Sequence, residues 1–256
     1  MDRRTFSAVA AAAATVSLFC VPRQALAAVE ARNVVLVHGA YADGSCWTDV
    51  ISLLQSAGLR ATAVQNPLRS LDDDVAATSW VLDRQDGPTV LVAHSYGGMV
   101  ITQAGDHPNV SALTYVAARA PDAGENYTQL ASRFPTPPAS AGLVTSAGFE
   151  LLSEDAFLND FANGVEPDRA KLLYAVQAPI AATLFPTAHT SIAAWRQKPS
   201  WYAVSTQDRT IDPTLERFMA ARMKATTVEI ASGHLSLVSH PREIADLILA
   251  AAGRRT

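Results

Sequence analysis

The sequence predicts an α/β fold: a doubly wound, mostly parallel six-stranded sheet with an inserted helical lid. Three observations point there. Short β-branched runs alternate with stretches of about a dozen residues at helical spacing, the pattern of parallel strands joined by crossover helices. The 256 residues are 49% hydrophobic, enough to cover both faces of such a sheet. One segment, at about 121–199, interrupts the rhythm with several prolines and no clear strand.

In chain order, Arg3 and Arg4 precede an Ala-rich apolar stretch at 8–21 and a small-x-small site, Ala25-Leu26-Ala27. This resembles a twin-arginine export signal, with cleavage expected after Ala27 and a periplasmic or secreted domain at 28–256. The apolar stretch is too short for a comfortable membrane span, and Cys20 lacks the small residue a lipid-anchor site needs before it, so no stable membrane anchor is expected. Loss of Cys20 leaves only Cys46, read as a small buried residue, and therefore no internal disulfide.

Strands are expected at Asn33–Val37, 59–64, from Thr89 to the turn at Ser95, and at 111–117, 201–205 and 226–231. Helices are expected at 46–57, 71–85, from the Ser95 turn to about 105, and at Pro213–Met223 and Pro241–Ala251. Ser70 caps the second helix, and Asp72, Asp73 and Asp74 in its first turn favour the positive end of the helix dipole. Three consecutive side chains point three ways round a helix, so this triplet reads as a solvated face and not a metal site. Within 121–199, helical patches are expected at 127–133, 154–161 and 167–176.

A net charge of −4, with no run of Lys or Arg, argues against nucleic acid and anionic membranes, leaving small-molecule ligands. Phosphate-loop, dinucleotide and zinc motifs are missing from the sequence. What the chain does contain is Ala93-His94-Ser95-Tyr96-Gly97, a small-x-Ser-x-Gly turn between a strand and a helix. Such a turn lifts the serine clear of the sheet above a helix N-terminus, and it needs small residues at Ala93 and Gly97, which are expected to approach each other.

Serine catalysis also needs a base, and a carboxylate to orient it. Asp208 follows the strand at 201–205, and His234 follows the next, both at strand ends where ligands bind in open parallel sheets. Asp212 is the competing acid, but it precedes Pro213 and reads as a helix cap. Among the other histidines, His38 shapes the loop after the first strand, and His94 is expected to point away from Ser95. His107 and His240 precede prolines at helix boundaries, and His189 lies in the lid. An anionic intermediate would be held by the backbone N–H groups of Tyr96 and Ala40, with Gly39 allowing close approach.

His38-Gly39-Ala40, Ala93-His94-Ser95-Tyr96-Gly97-Gly98, Asp208-Arg209-Thr210-Ile211 and Ser232-Gly233-His234 together resemble the α/β-hydrolase superfamily. The nearest likeness is to its small six-stranded branch of methyl esterases and hydroxynitrile lyases. That resemblance implies a Ser-His-Asp hydrolase that needs no cofactor and acts under a lid. No metal is expected, and since no residue of the lid announces a charge to be matched, a small, uncharged ester is the expected substrate. Lyases of this branch carry a lysine directly after the histidine, where this chain has Leu235. The alternatives are such a lyase and a non-catalytic sensor of small ligands.

Overall fold

The computed structural model describes residues 30–254, so the export segment expected at 1–27 lies outside the described residues. Six strands, β1 (Asn33–Val37), β2 (Arg60–Ala63), β3 (Thr89–His94), β4 (Val110–Val116), β8 (Ser200–Ser205) and β9 (Thr226–Ile230), form one sheet in the order β2-β1-β3-β4-β8-β9. Every pairing in it is parallel. β1 and β3 are buried at every residue. Successive side chains on a strand point to opposite faces, so complete burial means that both faces are covered, and this is why these strands read as unbroken apolar runs. Helices Thr48–Ser56 and Pro241–Ala251 pack together as one pair, and Leu71–Asp83 with Gly97–Ala104 as another.

The stretch between β4 and β8 departs from the helical lid expected. It contains helices at Tyr127–Ala131, Glu154–Ala156 and Pro167–Ala175, with a π-helical turn at Phe157–Phe161. It also contains an antiparallel sheet of β5 (Leu143–Ser146), β6 (Phe149–Leu152) and β7 (Ile180–Ala181). The hairpin between β5 and β6 turns on Ala147 and Gly148 at φ 49° and 81°. Two positive φ angles suit a tight hairpin, but Asn-Gly or Asp-Gly is the usual sequence for it, and alanine in the left-handed region hides the turn.

The acidic triplet is also corrected. Ser70 caps the helix as expected, its hydroxyl accepting from Asp73 N–H at 3.1 Å. Asp74, however, is fully buried: it accepts from Leu68 N–H at 2.8 Å and from the Tyr96 hydroxyl at 2.7 Å. Burial raises its pKa to about 6, against the opposing pull of those two hydrogen bonds.

Candidate active site

β3 ends in a sharp turn that places Ser95 at φ 53°, a strained value for a residue with a Cβ. Its neighbours hold it there. Ser95 N–H donates to Val116 O at 3.2 Å, and Ser95 O accepts from Gly98 N–H and Arg119 N–H, both at 3.0 Å. Gly39 lies directly against it, since a Cβ added there would stand 2.7 Å from Ser95 Cβ. The small-residue requirement at Gly97 has a different origin from the one expected: a Cβ there would meet His38 O at 2.8 Å and Val37 O at 2.9 Å, the end of β1.

The loops after β8 and β9 bring Asp208 and His234 together. His234 Nδ1–H donates to Asp208 Oδ2 at 2.6 Å, with both side chains sealed from solvent. Asp208 Oδ1 accepts from Thr210 N–H at 2.6 Å and Ile211 N–H at 2.9 Å, so the carboxylate is fixed in position and satisfied. His234 Nε2 makes no hydrogen bond among the described residues, and the Ser95 hydroxyl is not bonded to it. With Nδ1 committed to the carboxylate, Nε2 is the basic nitrogen.

His94 takes a part that its sequence position did not suggest. Its Nε2–H donates to His234 O at 3.1 Å, and the two rings lie 4.5 Å apart. Burial, and then the neighbouring His234, hold the His94 pKa well below its usual value, so a neutral imidazole supports the second histidine. His38 shapes its loop as expected: it bonds Gly39 O at 2.8 Å through Nδ1, and its Nε2 accepts from Asn66 N–H at 2.9 Å. Its pKa is lowered, chiefly by burial. His107 contacts Asp83, His240 contacts Ser239, and His189 is exposed. Asp212 caps its helix, accepting from Thr214 N–H at 2.8 Å. Cys46 is buried, which raises its thiol pKa.

Ala40 and Tyr96 are buried, and neither N–H makes a hydrogen bond among the described residues. Buried N–H groups are rarely left unpaired, so these two are available to an acceptor. A cavity of about 200 Å³ lies where the sheet-edge loops meet the lid. Tyr41, Arg119 and Ile211 line it from the sheet side, and Tyr127, Leu152 and Phe185 from the lid. Ser95 and His234 are not on its wall, but their supports are: Tyr41 follows Ala40, Arg119 N–H bonds Ser95 O, and Ile211 N–H bonds Asp208.

Residues 34–247 match the alpha/beta hydrolase family. The chain belongs to that family. Within the alpha/beta hydrolases it is 31% identical over 137 residues to a carbendazim hydrolyzing esterase of a Nocardioides species, covering 48% of this chain and 56% of that one. It is 25% identical to methylesterase 8 of Arabidopsis thaliana across 87% of this chain and 90% of that protein. The structure of polyneuridine aldehyde esterase superposes with a TM-score of 0.73 at 20% identity, covering 86% of this chain and 98% of that one. These relatives match the methyl esterase branch.

Two carboxyls near this site are buried, Asp74 under Tyr96, where a solvated face is expected from sequence, and Glu216 behind Asp208. Glu216 is fully buried, and its Oε2 accepts from Ser205 N–H at 3.1 Å. Burial, and then the Asp208 carboxylate, raise its pKa well above the usual range, which favours the protonated form. Helical spacing could have revealed both. Asp74 shares a stripe with Leu71, Thr78 and Val81, and Glu216 with Met219, Ala220 and Met223, all of them buried.

Proposed function

We propose that this alpha/beta hydrolase cleaves a small carboxylic ester through an acyl-enzyme intermediate. Ser95 Oγ attacks the ester carbonyl while His234 Nε2 takes its proton, and Asp208 stabilises the resulting imidazolium. The oxyanion is held by the Ala40 and Tyr96 N–H groups. As the tetrahedral intermediate collapses, the alkoxide leaves with the proton from His234. A water then repeats the sequence, losing its proton to His234, and releases the carboxylic acid with Ser95 restored. The observation that carries this reading is the sealed 2.6 Å contact of His234 with Asp208, which leaves Nε2 unengaged in the loop beside the strained Ser95 turn. Relatives named as esterases support the ester as substrate.

The test is to incubate the protein with a fluorophosphonate probe and to assay a p-nitrophenyl acetate substrate in parallel. Labelling that maps to Ser95, with probe and substrate competing, is the expected result; ester turnover with Ser95 unlabelled would overturn it. Export is part of the same proposal, supported by the paired arginines, the apolar stretch and Ala25-Leu26-Ala27. N-terminal sequencing of exported protein is expected to begin near Ala28, and full-length cytoplasmic protein unaffected by Arg3→Lys with Arg4→Lys would refute it.

A further inference from the structure

The cavity between the sheet-edge loops and the lid is mostly apolar, yet it holds two donors that have no acceptor among the described residues. The Arg119 guanidinium lies 3.9 Å from the ring centroid of Phe185 and 4.8 Å from that of Tyr127. Its Nε is buried without a hydrogen-bond partner, and its side chain forms no ion pair among the described residues. The Tyr41 hydroxyl is likewise buried and unpartnered. Burial raises the Tyr41 pKa, so it stays a donor, and its ring packs edge-on to Phe185 at 6.5 Å. The other charged side chain on the wall is Asp212, whose Oδ1 is taken up by the N–H and hydroxyl of Thr214.

An arginine held between two aromatic rings and lacking a counter-ion is a strong site for a carboxylate, because the guanidinium offers two parallel N–H donors in the geometry a carboxylate accepts. Leaving both donors unmatched is costly, and one anionic group entering the cavity would satisfy them together. We infer that the protein selects esters that carry a second, free carboxylate, which Arg119 and Tyr41 bind while the ester group reaches Ser95. The cavity is small by the standard of drug-sized sites, which suits a short half-ester of a dicarboxylic acid. This departs from the uncharged ester expected from sequence and rests on the esterase reading above.

The experiment compares monomethyl glutarate with its neutral counterpart, dimethyl glutarate, on the wild type, Arg119→Met and Tyr41→Phe. The wild type is expected to favour the half-ester by about tenfold or more in kcat/KM. Arg119→Met should lower half-ester kcat/KM, mainly through KM, by roughly ten- to a hundredfold more than it lowers diester kcat/KM. Tyr41→Phe should give a smaller loss of the same kind. Equal use of the two esters by the wild type, or a parallel fall on both accompanied by a lower Tm in Arg119→Met, would overturn the inference and make Arg119 a packing residue.

Glutarate itself separates this inference from the esterase reading. It is expected to raise the Tm of the wild type and not that of Arg119→Met, whether or not esters turn over. No rise in the wild type sinks the carboxylate site. A rise without turnover or Ser95 labelling sinks the esterase reading instead.

Discussion

β3 and β5 are both short strands, and the fold treats them in opposite ways. All six residues of β3 are buried between covering helices, whereas all four of β5 are exposed, Val144 by 51%. Strand β3 stands where it does because both of its faces are excluded from water. Strand β5 is placed by a tight hairpin and by ties made elsewhere in its segment. Ala181 N–H donates to Leu68 O, Ala139 N–H to Arg209 O, and Asn163 Nδ2 to Gln207 O, while Arg209 pairs with Asp160. The exposure is particular to β5, since Phe157, Phe161 and Leu184 of the same segment are buried in one core with the sheet. The segment over it is pinned at points to the loops that hold Asp208 and follow β2, and it can vary its surface without disturbing the sheet.

That contrast is open to attack, beginning at the sheet edge. Ser95→Ala is expected to keep the melting profile of the wild type and to lower ester turnover by about 10⁴- to 10⁶-fold, since the turn accepts alanine but loses the acyl acceptor. Near-normal turnover would place the nucleophile elsewhere. Asp208→Asn should cost about 10⁴-fold in kcat by spoiling the orientation and charge that His234 depends on. Asp212→Asn, four residues on, should cost at most ~1 kcal/mol of helix stability and little activity. Exchanged results would hand the acid's role to Asp212.

A pH series probes the buried support beneath the turn. The folded-state pKa of Asp74, about 6, lies above its ordinary 3.8, so the folded chain holds this proton more tightly than the unfolded chain does. The associated stability is present below pH 3.8 and is lost as pH rises through about 6. That difference corresponds to about 3 kcal/mol. Thermal melts of wild type and Asp74→Asn should show the wild type losing ground to the variant between about pH 4 and pH 7. Parallel curves would mean that Asp74 is ionised throughout.

The smallest effects compare the strands themselves. Val92→Ala in β3 should cost about 2–3 kcal/mol through lost burial and an unfilled cavity. Val144→Ala in β5 should stay within about 0.5 kcal/mol, as exposed substitutions do. Chemical denaturation of the two variants decides it, and a β5 cost equal to that of β3 would remove the distinction.

The inner strands β1, β3, β4 and β8 were legible because burial on both faces leaves a run that few other structures require, while the edge strands β2 and β9 were legible from their place between helical stretches. Asp212 was legible as a cap because Asp-Pro before a helical stretch has a local meaning, and it does cap that helix through Thr214 N–H. His234 was legible as a position at a strand end, but its support by His94 was not, since that bond joins residues far apart in the chain. The hairpin at Ala147 escaped because its turn residue contradicts local preference. Arg119 escaped for a related reason. It follows Ala117, whose φ of 43° redirects the chain at the end of β4, so the course of its side chain depends on a conformation that its neighbours impose.

Ser95 stands after β3, but Asp208 and His234 follow β8 and β9, which join the sheet only beyond an excursion of some eighty residues. Bringing β8 to β4 means closing that long loop, an entropic step that slows folding more than it lowers final stability. Strands β1 to β4 can assemble from near neighbours in sequence, while the acid and the histidine arrive with the last two strands. During refolding, helical and sheet signals should therefore recover ahead of enzymatic competence, whose return marks the docking of the sheet's far edge.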